Sequence, residues 1–191
     1  MDGYRIIRNR VLNCLRAGLP SELYYHSVDH TLDVLSVCNK YIRRNKIEAE
    51  NAQLLRLGAL FHDVGFTISR DEHEERGTVI AEEMMSEFKC SASDIRIVQG
   101  LIRATKIPQN PRTELEKIIF DADLDYLGRS DYYEIASLLF KELQVNGVVK
   151  SEEQWRQIQI SFLEKHQYHT EYARKYRQPV KEERLKELRT S

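Results

Sequence analysis

The sequence predicts an all-α fold, a single-domain bundle of about eight or nine helices. Two observations support this: apolar residues recur with helical period along almost the whole chain, and no segment alternates convincingly like a strand. Of the 191 residues, 41% are hydrophobic and 31% are charged, as is ordinary for a chain that buries a core. We expect one domain over residues 1–191, with its motifs in a core at 24–130 and C-terminal helices at 131–191 packing on that core.

Each helix is predicted from an apolar stripe together with residues that begin or end helices. Ser27 is available to cap the second helix, and Gly65 supplies the end of the third. Ser151 and Gln154 have the spacing of a capping box before the eighth. We expect the charged tail, YARKYRQPVKEERLKELR, to pack over the outside or to fray. In order, the predicted helical segments are YRIIRNRVLNCL, SVDHTLDVLSVCNKYI, EAENAQLLRLGALFHDVG, DEHEERGTVIAEEMMSEF, SASDIRIVQGLIRAT, TELEKIIFDADLDYLG, SDYYEIASLLFKEL and SEEQWRQIQISFLEKH.

The charge balance and the cysteines limit the class of protein. The chain has 29 basic and 30 acidic residues, which gives no general attraction to nucleic acid or to an anionic membrane. No apolar run approaches the ~18 residues of a membrane span, and the N-terminal MDGYRIIRNR lacks the apolar region of a signal peptide. Cys14, Cys38 and Cys90 form no CxxC pair, so we expect reduced, buried cysteines and a cytoplasmic location.

The segment LGALFHDVGF, residues 57–66, places His62 and Asp63 inside an apolar run. Burying a carboxylate without a partner is costly, so Asp63 needs a cation or dense hydrogen bonding. Two explanations stay open from these residues alone. Either His62 and Asp63 form part of a metal site, or they satisfy each other's hydrogen-bonding groups or cap the helix end near Gly65.

Two other segments carry residues of the kind that bind metals. His26 and His30 lie four residues apart, so a helix would stack them on one face, although a solvated or core-satisfied histidine pair is the commoner outcome. In EKIIFDADLDYLG, Asp121 and Asp125 share a face by their i, i+4 spacing, while Asp123 points away from both. The apolar neighbours compete for position, so we expect at least one carboxylate to turn inward.

Taken in order, His30, then His62–Asp63, then Asp123 resemble the H…HD…D signature of the HD-domain superfamily of metal-dependent phosphohydrolases. The flanking residues agree. YYHSVDHTLDVL resembles the family's first-histidine helix, LGALFHDVGF its namesake doublet and DADLDYLGR its closing aspartate motif. HEERGTVIAEEMM is similar to a segment that often follows the doublet. The similarity spans about residues 24 to 130, with a weaker echo in YHTEYARKYR.

The resemblance implies that His30, His62, Asp63 and Asp123 ligate one divalent metal ion. Two imidazoles and two carboxylates suit Mn²⁺, Fe²⁺, Co²⁺, Ni²⁺ or Zn²⁺, and suit Mg²⁺ less well. Binuclear relatives usually add histidines before the last aspartate, and none lies between Glu74 and Asp123, which favours a mononuclear site. The implied reaction is hydrolysis of a phosphate ester or anhydride by a metal-activated water, with a nucleotide among the expected substrates.

The resemblance also indicates four catalytic candidates. Asp63, as ligand and base, is expected to orient the attacking water. His26 is similar in position to the residue that cyclic-nucleotide phosphodiesterases, distant relatives, use to protonate the leaving oxygen; a supporting role behind the ligands or a place on the surface is the alternative. His73 and Glu74 open the next helix, where some relatives bind a second metal through the histidine and others position water with the acid.

Three cations are candidates for binding the substrate phosphate. Arg103 and Lys106 lie beside the proline-rich loop KIPQNPR, and Arg129 follows the last aspartate motif. Arginine offers a bidentate fork and lysine a point charge, although solvated surface is the competing interpretation for each. His166 and His169 have a spacing that would permit a metal, but without ligand-type neighbours we expect them at a helix C-terminal surface.

Two other functions stay open from the sequence. A non-catalytic sensor or scaffold would bind a metal or nucleotide on the same fold, and a purely structural helical domain would satisfy its polar clusters internally. The expected partner is a small phosphorylated molecule, with a homodimer left open.

Overall fold

The computed structural model describes residues 2–108 and 110–190, and in these it contains ten α-helices, two short 3₁₀ helices and no strand. The all-α prediction is confirmed. None of the described helices combines the length and the apolar character needed to cross a membrane. The helices are α1 (Asp2–Gly18), α2 (Val28–Asn45), α3 (Ala49–Phe61), α4 (His73–Glu87), α5 (Ala92–Ala104), α6 (Glu114–Asp123), α7 (Tyr132–Val145), α8 (Glu152–Lys165), α9 (Glu171–Tyr176) and α10 (Gln178–Thr190), with 3₁₀ helices at Val64–Thr67 and Asp125–Gly128.

The helix count exceeds the expected eight or nine because the tail forms two helices, α9 and α10. Arg177 separates them, and Pro179 then lies in the first turn of α10, where a missing N–H costs nothing. The tail is therefore helical up to Thr190, which argues against fraying over its described length.

The predicted caps form. The Ser27 side chain accepts a hydrogen bond from the backbone N–H of His30 at 3.3 Å, which fixes the first turn of α2. The Ser151 side chain accepts one from Gln154 at 3.1 Å and begins α8 in the same way. Each bond satisfies a backbone donor that the helix itself leaves unpaired.

Gly65 has a different role from the helix stop predicted for it. α3 already ends at Phe61, and Gly65 lies inside the 3₁₀ helix Val64–Thr67. A Cβ atom on Gly65 would lie 1.8 Å from the carbonyl oxygen of His73 and 2.8 Å from the backbone nitrogen of Gly77. The absence of a side chain therefore lets the start of α4 approach the doublet closely.

The described residues fall into two compact units. The prediction of a single domain, with a core at 24–130 and packed C-terminal helices at 131–191, stays a prediction. One unit comprises residues of Met1–Pro20 and His26–Ala122, and the other comprises residues of Ser21–Tyr25 and Asp123–Ser191.

In the first unit, α3 packs against α1, α2 and α5, and α4 packs against α5 and the first 3₁₀ helix. A Cβ atom on Gly58 would lie 2.8 Å from the Cβ of Leu101, so α3 and α5 lie very close. Leu55, Leu57 and Leu60 are buried on α3, and each such burial stabilises the fold by ~1.5–3 kcal/mol. This packing fixes the C-terminal end of α3, where the doublet begins.

In the second unit, α10 packs against α8, α9 and the 3₁₀ helix Asp125–Gly128. His166 is buried here, so its expected surface position is wrong. Burial lowers the pKa of His166 to about 3, helped by the positive charge of Lys181. The buried Lys181 ammonium donates to the backbone oxygen of His166 at 2.6 Å. A lysine can bury the aliphatic part of its side chain while its ammonium group binds a carbonyl oxygen, as it does here.

Candidate metal centre

The doublet lies directly after α3, and both side chains are buried, as the apolar run predicts. The Asp63 Oδ2 atom lies 3.1 Å from Nε2 of His62 and 3.5 Å from Nε2 of His30. This oxygen is buried and accepts no hydrogen bond from the residues that the structure describes. A buried carboxylate oxygen without a hydrogen bond costs free energy unless a cation binds it.

A backbone contact defines which nitrogen of His62 faces the centre. The Nδ1 atom of His62 lies 2.9 Å from the carbonyl oxygen of Ala59. Because a carbonyl only accepts, Nδ1 carries the hydrogen, and a neutral His62 then presents its lone pair on Nε2. That nitrogen lies 3.2 Å from Nε2 of His30. This is the arrangement by which a hydrogen bond on one side of an imidazole prepares the other side to bind a metal.

Asp123 is the last of the predicted ligands along the chain. It belongs to the second compact unit, whereas His30, His62 and Asp63 belong to the first, and its place in the same metal site stays a prediction. Asp123 is the last residue of α6, so the continuous helix determines its place. Asp121 and Asp125, predicted to share the opposite face, are fully buried, whereas Asp123 is half-buried. Nitrogen and oxygen donors of these types fit a divalent transition metal.

The electrostatics of Asp63 favour its ionised form. Burial acts to raise the pKa of this carboxyl group, but attraction to His62, and further attraction to His26 and His30, outweighs burial. The net effect holds the pKa of Asp63 well below its usual range. The carboxylate is therefore charged at neutral pH and fit to be a metal ligand.

An aromatic stack links the two remaining histidine candidates. The ring of Phe66 stacks on His26, with 4.4 Å between ring centroids, and on His73, with 4.0 Å. The Nε2 atom of His73 lies 3.8 Å from Oδ1 of Asp63. The fold thus brings His26 and His73 together beside the doublet. Phe66 was not among the predicted site residues. The sequence feature that could have indicated it is its position, three residues after Asp63.

Glu74 and His73 begin α4. Glu74 is buried, and its Oε2 atom lies 3.6 Å from Nδ1 of His73. That nitrogen also lies 3.3 Å from the carbonyl oxygen of Arg70. Burial lowers the pKa of His73, against the opposing effect of the Asp63 and Glu74 carboxylates. Burial thus favours the neutral imidazole of His73.

The candidate phosphate-binding cations lie in different surroundings. Arg103 donates from Nε to both carboxylate oxygens of Glu75, at 3.1 and 3.0 Å, in a half-exposed pair. Arg129 donates to Asp131 at 2.9 and 2.8 Å and is largely buried. Lys106 is exposed. Two of the three are thus paired with carboxylates, and phosphate binding by any of them stays a prediction.

Comparison with known proteins identifies the family of the chain. The family model described as "HD domain" matches residues 27–125, just over half of the chain. The chain therefore belongs to the HD-domain family, the superfamily of metal-dependent phosphohydrolases, and the resemblance seen in the motifs is confirmed. The matched range contains His30, His62, Asp63 and Asp123. A search of curated proteins and a search of solved structures each found no match.

Proposed function

We propose that this protein is a metal-dependent phosphohydrolase that cleaves a phosphate ester or anhydride of a small molecule, with nucleotides as the first substrate class to test. One observation carries the proposal: the buried Asp63 Oδ2 accepts no hydrogen bond among the described residues yet faces two imidazole nitrogens. A structural His–Asp pair would satisfy that oxygen. A divalent cation satisfies the oxygen and both nitrogens at once.

His30, His62, Asp63 and Asp123 would hold the ion. Mixed nitrogen and oxygen donors favour Mn²⁺, Fe²⁺, Co²⁺, Ni²⁺ or Zn²⁺ over Mg²⁺. When bound, such an ion lowers the pKa of water and polarises a phosphoryl oxygen. The protein supplies the buried surroundings that strengthen these effects and the contact from Ala59 that sets the tautomer of His62.

The remaining groups supply proton transfer. Asp63, held ionised by its neighbours, accepts the proton of the attacking water. His26, half-buried and stacked on Phe66, donates a proton to the leaving oxygen. His73 and the buried Glu74 orient the water from the start of α4. These roles require groups within hydrogen-bond reach of a substrate.

Arg103, Lys106 and Arg129 are the candidates to bind the substrate phosphate. The Arg103–Glu75 pair is half-exposed, and such surface pairs contribute about 0–1 kcal/mol. A phosphate can therefore replace Glu75 at small cost. Arg129 is less available because its own side chain is largely buried and pairs with Asp131. We rank Arg103 and Lys106 above Arg129 for this role.

The test is a substrate panel with several metals. Metal-free protein is supplied in turn with Mn²⁺, Co²⁺, Ni²⁺, Zn²⁺ and Mg²⁺. It is then assayed on mononucleotides, dinucleotides, cyclic nucleotides and pyrophosphates for release of phosphate or nucleoside products. We expect metal-dependent turnover that His62→Ala and Asp63→Ala abolish together with metal binding. The matched control is Arg189→Gln, which removes an exposed pair with Glu164 and should leave turnover unchanged.

Two results would contradict the proposal. Full turnover by His62→Ala would remove the metal centre from the reaction. Tight nucleotide binding without turnover, with every metal of the panel, would support a non-catalytic sensor instead.

A further inference from the structure

The segment that follows Asp123 is held by side chains from the C-terminal part of the chain, beyond the range that the family model matches. We infer that Arg177 and Tyr168 are positioning residues that hold Asp123 in place as a metal ligand. This inference rests on the metal centre of the proposed function, although not on any particular substrate.

The strongest contact joins Arg177 and Asp125, which are 52 residues apart. The guanidinium donates from Nε to Oδ1 at 2.7 Å and from Nη2 to Oδ2 at 3.1 Å. Asp125 is fully buried. A two-bond contact of this kind fixes the rotation of the carboxylate as well as its position, which a single bond does not.

Two further contacts hold the neighbouring backbone. The buried Tyr168 hydroxyl donates to the carbonyl oxygen of Leu124 at 3.1 Å. A Cβ atom on Gly128 would lie 2.4 Å from the carbonyl oxygen of Arg177, so the backbone of Arg177 lies directly on the end of the 3₁₀ helix. Residues one, two and five positions after Asp123 are thus all held from the segment 168–177.

These contacts act on Asp123 because it ends a helix. The last residues of a helix lack the following turn and fray unless their surroundings hold them. Asp123 ends α6, and the next two residues carry the contacts from Tyr168 and Arg177. A metal ligand must stay within a few tenths of an ångström of its place, and groups that orient ligands typically contribute about 10–100-fold to metal affinity.

A purely structural ion pair would behave differently. Loss of such a pair lowers the free energy of unfolding but leaves the metal affinity of the folded protein unchanged. Loss of a positioning contact weakens metal binding even in fully folded protein. At saturating metal, turnover should then recover, because neither Arg177 nor Tyr168 has a role in substrate binding or proton transfer.

The experiment measures Mn²⁺ affinity by electron paramagnetic resonance and by calorimetry at low temperature, with folding verified by circular dichroism. The variants are Arg177→Gln, Arg177→Lys, which keeps the charge but loses the fork, and Tyr168→Phe, which removes only the hydroxyl. The matched control is Arg189→Gln. We expect Arg177→Gln to weaken Mn²⁺ binding about 10–100-fold, Arg177→Lys and Tyr168→Phe to weaken it less, and Arg189→Gln to bind like the wild type.

Each outcome decides the inference. Wild-type affinity in folded Arg177→Gln and Tyr168→Phe proteins would overturn it while leaving the proposed function standing. If Arg177→Gln does not fold, Arg177→Lys and Tyr168→Phe decide in its place. A wild-type protein that binds no Mn²⁺ or other metal would refute both ideas. Metal binding that depends on Arg177, in a protein without turnover on any substrate, would support the inference and refute the hydrolase.

Discussion

Asp63 and Asp125 are both buried aspartates, one in each compact unit, and their surroundings differ. Asp125 receives two hydrogen bonds from Arg177, and Nη1 of Arg129 lies 3.7 Å from its Oδ2. Asp63 is surrounded by imidazoles, and its Oδ2 accepts no hydrogen bond among the described residues. The first carboxylate is satisfied by the protein, whereas the second needs a ligand.

This difference separates a structural buried charge from a candidate functional one. Burial alone does not distinguish them, since both residues interrupt apolar segments in the same way. The type of partner distinguishes them. Guanidinium groups carry a permanent charge and several N–H donors, so they satisfy a carboxylate directly, whereas a neutral imidazole can offer a lone pair to the same cation that the carboxylate binds. The predictions that follow test whether the two aspartates differ in this sense.

The largest change in the free energy of unfolding should come from breaking the ion pair between Asp125 and Arg177. Asp125→Ala removes a fully buried carboxylate from a partly buried guanidinium and should lower the free energy of unfolding by about 3 kcal/mol, since breaking buried pairs is strongly destabilising. Urea denaturation of the metal-free protein measures this. Asp131→Ala is the control, because Asp131 is 40% exposed and its pair should contribute about 1 kcal/mol or less. Equal effects of the two substitutions would show that Asp125 is not a structural buried charge.

The second prediction concerns the gain in stability on metal binding, which we expect to depend on Asp63. At a Mn²⁺ concentration of about 100 times Kd, the wild type should gain about 2.7 kcal/mol of stability. Asp63→Asn should lose this gain, because an amide oxygen is a far weaker ligand than a carboxylate, and Asp131→Ala should keep it. Thermal unfolding with and without Mn²⁺ makes the comparison. An undiminished gain in Asp63→Asn would place the metal elsewhere.

The smallest effect is a pH dependence in the second unit. Because the pKa of His166 is lowered to about 3, the unfolded chain binds a proton there below about pH 6.5, while the folded protein does not. Stability should therefore fall by about 1 kcal/mol as pH drops from 6.5 to 5.5, because protonation of this group then favours the unfolded chain. Denaturation curves of the wild type and His166→Gln across this range test it. An unchanged slope in His166→Gln would contradict the burial of a neutral imidazole.

Local signals in the sequence predicted the elements well. Ser27 and Ser151 cap the helices expected of them, because a cap depends on residues only three positions apart. The helical stripes likewise depend on near neighbours. Gly65 was assigned the wrong role, since its function depends on a backbone eight residues later rather than on the helix it follows.

The candidate site was predicted from motifs rather than from packing. The motif order and the resemblance predicted His30, His62, Asp63 and Asp123 as the ligands of one ion. The side chains of His30, His62 and Asp63 lie close together in the first unit, and metal binding by the four stays a prediction. Local pattern did not reveal the Arg177–Asp125 pair or the burial of His166, because both depend on partners distant in the sequence or on packing in the second unit. The charged composition of the tail predicted exposure to solvent, but tertiary packing buries part of this region.

The most direct test of the metal centre is anomalous X-ray scattering from crystals soaked in Mn²⁺, recorded where manganese absorbs strongly. We predict one strong peak in bonding contact with the Nε2 atoms of His30 and His62 and with carboxylate oxygens of Asp63 and Asp123. A map with no peak among these four side chains, at a Mn²⁺ concentration that saturates binding in solution, would contradict the account.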